Sequence, residues 1–456
     1  AVCSDTKVGK RSSNEDIRAH DLAIPPTTDP TRLSTAIAEA DADVAMTVVF
    51  STYQSIDAVA TAQRAGVAEF DLIVCDEAHR TTGVTLAEDD ESAFVRVHDA
   101  DYIRGARRLY MTATPRLFDE NTKSKAAEAD AVLCSMDDES VFGPEFHRLG
   151  FGKAVEAGLL TDYKVLVLNV DEGHIAKSFQ AQLADENSEL RLEDAAKIVG
   201  CWNGLAKRGG LLISGEGFGD DTIPMRRAVA FSRSIKDSKA VTAKFQELIA
   251  AYTEHHPDAL RCEVEHVDGT DNALVRNERL NWLKALSEPN TCRILSNARC
   301  LTEGVDVPDL DAVLFLNPRN SVVDVVQSVG RVMRRADDKQ FGYIILPVAI
   351  PSGMDPAKAL ADNKRYKVVW QVLQALRAHD DRFNAMVNQI DLNKTDPKQI
   401  DIIGVGIGID EGDPFGNGTT DKPKPTQQML EFPLEDWRDA IYGRIVVKVG
   451  ERTYWE

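Results

Sequence analysis

The sequence predicts an α/β protein with mainly parallel sheets, and two observations support this fold class. First, the predicted strands are near-continuous apolar runs, which suit strands covered on both faces. They are MTVVF (46–50), FDLIVC (70–75), RRLYMTAT (107–114), YKVLVLNV (163–170), RRAVAFS (226–232), CRILSN (292–297), AVLFLN (312–317) and YIILP (343–347). Second, helical stretches such as 234–252 and 273–286 lie between the strands. This alternation favours crossover helices and parallel strands.

The spacing of the strands predicts the domain organisation of the 456 residues, a length that suggests two or three domains. We expect a first domain over 1–160 and a second over 161–350, with a helical insertion near 171–220. The remainder, 351–456, is expected to be a mostly helical C-terminal segment. It contains a linker or loop rich in Gly, Pro and Asp, GVGIGIDEGDPFGNGTTDKPKPTQQ.

The composition is that of a soluble globular protein, with 43% hydrophobic and 28% charged residues. No apolar run approaches the ~20 residues that a membrane helix needs, and no signal peptide is recognisable. Seven scattered cysteines without a CxxC pair indicate reduced thiols and a cytoplasmic location. The net charge of −20 weighs against a nucleic-acid partner, although a local groove can be basic on an acidic body.

The stretch FDLIVCDEAHRTTG carries the clearest chemical signal, because its apolar strand ends in Asp76 and Glu77. Ligands of open α/β sheets bind at the carboxyl ends of strands. There Asp76 can hold Mg²⁺ through water, and Glu77 can orient a water for attack on a γ-phosphate. Adjacent carboxylates repel each other unless a cation lies close by. The alternative for this stretch alone is a solvated carboxylate pair.

Two further segments contain residues suited to phosphate chemistry. YMTATPR ends a second strand in Thr112 and Thr114, whose hydroxyls can hydrogen-bond the carboxylates of a neighbouring strand end. QSVGRVMRR places Arg331 and Arg334 three residues apart, which predicts a shared helix face and a common anion. Two arginines suit the charge that develops during phosphoryl transfer. A solvated helix face is the alternative reading of such a pair.

The segment LTEGVDVPDLDAVLFLN places Gly304 and Asp306 just before a strand. Glycine permits close approach of a backbone, and an aspartate can accept a ribose hydroxyl. In chain order, DEAH, TAT, TEGVD and QxxGRxxR resemble the motifs of superfamily 2 helicases and translocases over about residues 45–350. The resemblance implies two RecA-like domains with ATP and Mg²⁺ between them, in which hydrolysis changes cleft closure and shifts DNA-gripping loops.

The resemblance also implies roles for individual residues. Those that match catalytic or cofactor-binding positions are Asp76 (Mg²⁺), Glu77 (catalytic base), His79 and Gln327 (a pair), Thr112, Thr114, Gly304 and Asp306 (cofactor), and Arg331 and Arg334 (arginine fingers). Those that match nucleic-acid positions are Thr52, Ser232, Arg233 and Thr302. Hydroxyls and helix N-termini bind phosphates without adding net charge, which allows an acidic protein to track DNA.

Two terminal segments resemble a narrower family, the type ISP restriction-modification enzymes and related predicted helicases. They are AVCSDTKVG with EDIRAHDLAIPPTTD near the start, and LEDWRDAIYGRIVVKVGERTYWE at the end. This resemblance implies a motor that moves on double-stranded DNA without separating the strands. It also implies an upstream nuclease and a downstream adenine-N6 methyltransferase with a target-recognition domain. No Asn-Pro-Pro-Tyr-like or PD…ExK motif occurs here, so those activities are not assigned to this chain.

The expected phosphate loop, GxxxxGK[ST], has only one near match, SDTKVGKRSS. There Ser4 stands at the first glycine position and Arg11 follows Lys10, so we reject it. We expect the phosphate loop upstream of Ala1, and weak or no ATP hydrolysis by this chain alone. Two alternatives remain open from sequence: a strand-separating DNA or RNA helicase, and a catalytically inactive DNA-binding or scaffold module.

Overall fold

The structure, a computed structural model, describes most of the chain in separate ranges. The described residues are 2, 26–39, 46–86, 94–118, 124, 131–178, 191–208, 211–214, 216–298, 307, 309–317, 322–337, 339–351, 366–393 and 399–405. They form two compact units, one up to Arg148 and one from Leu149.

The first unit is a small α/β assembly. Its elements are α1 (Pro30–Ala38), α2 (Ile56–Arg64), β1 (Ile73–Cys75), β2 (Gly83–Leu86), β3 (Arg108–Tyr110), β4 (Ala131–Cys134) and α3 (Glu139–Phe142). β1 and β3 pair in parallel, with Cys75 opposite Tyr110, whereas β2 and β4 pair antiparallel. Helix α1 begins where the sequence favours it, because the Asp29 carboxylate accepts the N–H of Thr31 and Pro30 takes the first helical position.

The core of the first unit lies where α1 and α2 pack against β1, and it includes Leu33, Ile56 and Cys75. The predicted strand over 46–50 is wrong. These residues are extended, but in the described part of the chain the pairing there is a single bridge between Val2 and Ser51. A strand needs a ladder of backbone hydrogen bonds with a neighbour, and this segment lacks one among the described residues.

The second unit is built on one eight-stranded sheet. Its elements are α4 (Phe151–Glu156), β5 (Asp162–Asp171), α5 (Glu172–Ser178), α6 (Leu192–Leu205), β6 (Leu211–Ser214), β7 (Arg227–Phe231), α7 (Ile235–His255), β8 (Arg261–Val267), α8 (Ala273–Lys284), β9 (Thr291–Asn297), β10 (Ala312–Phe315), α9 (Val322–Val332), β11 (Phe341–Ile350), α10 (Lys367–His379), α11 (Asp381–Asn393) and β12 (Ile400–Val405). The strand order is β6-β12-β5-β11-β10-β7-β9-β8, and only β6 runs antiparallel to its neighbour. The predicted α/β class with a mainly parallel sheet is confirmed.

Both faces of this sheet are covered by helices, which explains the continuous apolar runs. In β5, Val165 and Val167 face the core under α9, α10 and α11. Leu166 and Leu168 of the same strand face the core under α6 and α7. Since successive side chains of a strand point to opposite faces, a strand buried on both sides is apolar at most of its positions. The buried polar residues of β5, Lys164 and Asn169, are hydrogen-bonded to the Gly217 carbonyl and the Tyr366 hydroxyl.

The two edge strands of the sheet were not predicted. β6 has four residues and lies in the tail of the predicted helical insertion, which otherwise contains α5 and α6. β8 alternates charged and less polar residues, and its Glu263 and Glu265 pair with Arg293 and Arg279.

The C-terminal part contains α10 and α11, as expected, and also β12, which pairs with β5 in parallel. These elements belong to the second unit. The predicted boundaries at 160 and 350 stay predictions, and nearly all of the expected linker lies outside the described residues. Within the described ranges, no helix is long and apolar enough to cross a membrane.

Candidate functional site

The DEAH residues form a tight turn directly after β1. Glu77 has a left-handed backbone with φ 49° and ψ 45°, and its N–H donates to Asp76 Oδ1 at 2.9 Å. The next N–H, that of Ala78, donates to the Met111 carbonyl at 2.9 Å, just beyond β3. A left-handed backbone at a non-glycine residue costs on the order of 1–3 kcal/mol and persists where the surroundings impose it. Here the hydrogen bonds of the Glu77 and Ala78 N–H groups hold the backbone in that conformation.

A polar cluster connects this turn to the threonines that follow β3. Nδ1 of His79 lies 3.3 Å from Glu77 Oε2, 3.0 Å from Thr112 Oγ1 and 3.5 Å from Thr114 Oγ1. The Thr114 N–H donates to Thr112 Oγ1 at 3.1 Å. We expected the hydroxyls to bond the carboxylates, but they contact His79, which in turn contacts Glu77. The parallel pairing of β1 with β3 places both strand ends together and so assembles the cluster.

Asp76 is exposed beside this cluster. Mg²⁺ in nucleotide enzymes is bound by one or two carboxylates together with substrate phosphates and water. An exposed carboxylate at the end of a parallel strand, with a second carboxylate on the next residue, fits such a metal. Within the described residues, no group of three or more His, Cys, Asp or Glu side chains is arranged to hold a metal ion.

Tyr53 connects the candidate nucleic-acid segment to Asp76, and the sequence analysis missed it. Its hydroxyl donates to the Asp76 carbonyl oxygen at 2.7 Å. Burial, with the nearby charges of Cys75 and Asp76, raises the pKa of Tyr53, so the phenol stays neutral and donates. Thr52 precedes it, is exposed, and donates through Oγ1 to Ser55 Oγ at 3.1 Å. A hydrogen bond to a backbone carbonyl has no sequence signature that could have revealed this contact.

The candidate arginine residues lie at the end of α9 in the second unit. Gln327 and Arg331 lie on α9 and are partly buried, and α9 ends at Val332. The expectation that Arg331 and Arg334 share one helix face therefore needs correction, because Arg334 lies two residues beyond the helix. Its N–H donates to the Arg331 carbonyl at 3.3 Å, so the chain makes one further, tighter turn. Lys339 donates to the Val332 and Arg334 carbonyls there, which the end of the helix leaves without partners inside it.

The other candidate nucleic-acid residues of the second unit follow β7. Ser232 is 1% exposed, and its N–H donates to the Asn297 carbonyl at 2.9 Å. The Arg233 side chain is 73% exposed and donates to Asp237 at 3.2 Å. Of these two residues, Arg233 is the one accessible to a polyanion. Ser234 caps α7, since its Oγ accepts the Asp237 N–H at 3.1 Å.

A buried polar network ties the loop after β8 to the first turn of α7. The Asp268 carboxylate lies 3.0 Å from His266 Nε2 and 3.2 Å from Lys239 Nζ. Nδ1 of His266 lies 2.8 Å from Ser238 Oγ. Hydrogen bonds from the Thr270 hydroxyl, then from His266, lower the pKa of Asp268. This network holds the helix whose N-terminus presents Arg233.

Three candidate residues, Thr302, Gly304 and Asp306, lie outside the described residues.

The fold and the motif positions are consistent with one class of protein, the superfamily 2 helicase motor. Residues 14–117 match the family of the Type III restriction enzyme, res subunit, and residues 221–336 match the helicase conserved C-terminal domain. These matches support two RecA-like helicase domains in the chain.

Within that class, the chain is similar to Type ISP restriction-modification enzymes. It is 42% identical to the ATP-dependent enzyme LlaBIII bound to DNA, with a TM-score of 0.74, over 96% of this chain and 28% of that one. It is 32% identical to a nuclease-deletion mutant of LlaGI in complex with a DNA substrate mimic, with a TM-score of 0.58, over 100% of this chain and 25% of that one.

A viral protein is also similar. The probable helicase A859L of African swine fever virus (strain Badajoz 1971 Vero-adapted) is 27% identical over 357 residues, which are 78% of this chain and 33% of that protein. The chain thus spans a third or less of the length of each of these three relatives.

Proposed function

We propose that the chain is the motor of an ATP-dependent DNA translocase that belongs to a restriction-modification enzyme. The observation that carries the proposal is the cluster at the ends of β1 and β3, in which His79 contacts both Glu77 and Thr112 beside the exposed Asp76. The similarity to two Type ISP enzymes, one solved bound to DNA and the other in complex with a DNA substrate mimic, supports DNA as the substrate. A nuclease and a methyltransferase are the proposed neighbours in the same polypeptide.

In the proposed reaction, Asp76 would hold Mg²⁺ through water, and the bound ion would supply positive charge beside the phosphate oxygens of ATP. The Glu77 carboxylate orients the attacking water and accepts its proton. His79 contacts both Glu77 and the Thr112 hydroxyl. A movement of Thr112 would therefore change the position of His79 and, through it, the environment of the Glu77 carboxylate.

We assign Arg331 and Arg334 to stabilising the charge on the transferred phosphoryl group, since a guanidinium offers a planar set of donors to phosphate oxygens. Gln327 is proposed to pair with His79. Gly304, Asp306 and Thr114 keep their proposed cofactor-binding roles.

We propose that Thr52 and Arg233, both exposed, contact the backbone of double-stranded DNA, together with Thr302. The buried hydroxyl of Ser232 favours Arg233 as the direct contact of that pair. Hydroxyl and backbone donors position a protein on phosphates without a large positive charge, which suits a chain of net charge −20. Binding through phosphates weakens steeply as salt concentration rises.

The test uses Glu77→Gln in the full-length protein, which keeps the shape of the side chain and removes the base. We expect DNA-stimulated ATP hydrolysis to fall by roughly 10²–10⁴-fold, with binding of a fluorescent ATP analogue retained. Displacement of a DNA triplex is lost with it. Glu69→Gln, an exposed acid of the same unit, is the matched control. Equal turnover by both variants would refute the assigned role of Glu77.

The same assays separate the alternatives. Triplex displacement by the wild type without unwinding of a duplex supports translocation, whereas unwinding supports a strand-separating helicase. DNA binding by the full-length wild type without ATP turnover supports a scaffold. The 456-residue chain alone is expected to turn over ATP weakly or not at all.

A further inference from the structure

Lys339 lies between α9 and β11 and binds three backbone carbonyls. Its ammonium group donates to the carbonyl oxygens of Leu310 and Val332 at 2.6 Å each, and to that of Arg334 at 3.1 Å. A protonated lysine has three N–H donors, so the three carbonyls match its full donor capacity. Two of these carbonyls belong to the turn that ends α9.

The backbone of that turn makes two further close contacts. The Met333 carbonyl accepts the N–H of Thr161 at 2.8 Å. At the start of β11, a Cβ on Gly342 would lie only 2.3 Å from the Val332 carbonyl oxygen, so β11 packs directly on the helix end. Three successive carbonyls, 332 to 334, therefore have fixed donors, two of them from one lysine. The last carbonyls of a helix have no partner within the helix, and basic side chains commonly bind them.

The surroundings of Lys339 act on its pKa in opposite directions. Burial lowers its pKa to about 8, and the facing carboxylates of Asp311 and Asp309 oppose that fall. Asp311 also accepts the N–H groups of Arg226 and Arg227, at 2.8 and 2.9 Å, and burial raises its pKa. A neutral amine has two N–H donors instead of three. One of the three carbonyls therefore loses its donor as the pH rises past about 8.

We propose that Lys339 is a positioning residue for ATP hydrolysis, because its ammonium group holds the terminal turn of α9 and so fixes where Arg331 and Arg334 are presented. The inference rests on the proposed function, in which these two arginines stabilise the transferred phosphoryl group. Lys339 touches neither substrate nor cofactor in this role. It acts on the backbone that carries the arginines.

The effect on the reaction depends on how far Arg331 and Arg334 are displaced when the turn loses a hydrogen bond. Arg331 is in the last turn of α9, and the carbonyl of Arg334 itself accepts a hydrogen bond from Lys339. Loss of that donor lets the turn relax toward water. A misplacement of about 1 Å in a group that stabilises the transition state costs on the order of 100-fold in rate. Ground-state binding of ATP does not depend on such a group, so the effect falls on kcat.

The experiment compares Lys339→Met, which keeps the length of the side chain without a donor, with Lys339→Arg, which keeps the charge at alkaline pH. Lys153→Met, an exposed lysine on α4, is the matched control. Steady-state kcat and KM for ATP are measured in the full-length protein across pH with saturating duplex DNA. Hydrogen exchange of the peptide over 329–337 is measured in the 456-residue chain, which requires no activity.

We expect Lys339→Met to lower kcat by roughly 10- to 100-fold with KM changed by less than about two-fold, and to speed exchange in the 329–337 peptide. The wild type loses kcat on the alkaline side with a midpoint near pH 8, and Lys339→Arg moves that midpoint upward. A kcat for Lys339→Met equal to that of Lys153→Met would overturn the proposal. An alkaline limb that stays in place in Lys339→Arg would overturn it too.

The two levels of the hypothesis fail differently. If the full-length wild type does not hydrolyse ATP, the proposed function fails, and the role given to Lys339 fails with it. If the wild type hydrolyses ATP and Glu77→Gln does not, but Lys339→Met matches its control, only the inference about Lys339 fails. Because Lys339→Arg retains a donor and a charge, it keeps the test decisive even if Lys339→Met does not fold.

Discussion

Replacing Tyr53 by phenylalanine tests whether the Thr52 segment is coupled to Asp76, the carboxylate proposed to bind Mg²⁺. Tyr53→Phe keeps the ring and its packing and removes the hydroxyl that donates to the Asp76 carbonyl at 2.7 Å. A neutral hydrogen bond of this kind contributes ~1 kcal/mol net, and about 1.4 kcal/mol is a factor of ten in an equilibrium or rate. We therefore expect kcat for DNA-stimulated ATP hydrolysis to fall about five-fold.

The apparent Kd for duplex DNA should stay unchanged, because the hydroxyl bonds the Asp76 backbone and not the nucleic acid. The effect should also be constant over roughly pH 6 to 9, since the raised pKa keeps the Tyr53 phenol neutral there. ATP turnover by the full-length protein, titrated with duplex DNA, provides both quantities.

Tyr102→Phe is the control for this measurement. Tyr102 is in the same unit, and its hydroxyl donates to the exposed carboxylate of Asp57, away from the DEAH turn. If Tyr53→Phe and Tyr102→Phe reduce kcat equally, the reduction reflects general loosening of the unit. If Tyr53→Phe lowers DNA affinity and leaves kcat intact, the coupling role is refuted.

Two further changes test the fold. Gly342→Ala forces a methyl group to within 2.3 Å of a backbone oxygen, so the free energy of unfolding should fall by about 1–3 kcal/mol or more in urea titrations. Gly269→Ala, which meets open space, is the control, and matching midpoints would contradict the packing. Asp268→Asn tests whether the lowered pKa of Asp268 reflects stabilisation of the fold by its carboxylate. The stabilisation from the Asp268 carboxylate is present above its unfolded pKa of ~3.9 and is lost as pH falls. At neutral pH the variant should have a lower free energy of unfolding than the wild type. As the pH falls, its free energy of unfolding should decrease less steeply. Parallel curves of unfolding free energy against pH for the two proteins would contradict the role of the Asp268 carboxylate.

How far the fold could be predicted depended on how each strand is covered. β5, β7, β9, β10 and β11 are buried on both faces, and their apolar runs were recognised. β8 lies at the edge of the sheet and alternates charged residues with less polar ones, which no search for continuous apolar runs finds. The segment at 46–50 misled the prediction in the opposite way. It is apolar, but within the described residues the pairing there is only the bridge at Ser51.

Some contacts of the candidate site could be predicted from the sequence, and others could not. The adjacency of DEAH and TAT follows from two strands that end in polar residues, and parallel pairing of β1 with β3 brings them together. The contacts of Tyr53 and Lys339 could not be predicted, because both side chains bind backbone carbonyls, and a carbonyl is the same at every residue. The motif gives no sign that α9 ends before Arg334, and Lys339, which binds the carbonyls at that end, lies beyond the motif.

The edge strands of the large sheet, as the described residues show them, have a consequence for association between copies of the chain. An open strand edge can pair with a strand of another molecule and begin an aggregate. At one edge β6 is only four residues long and reverses direction, so it offers little template. At the other edge, Glu263 and Glu265 with their arginine partners would have to be desolvated by an incoming strand. Within the described residues, the two edge strands of this eight-stranded sheet therefore offer a poor template for pairing with another copy.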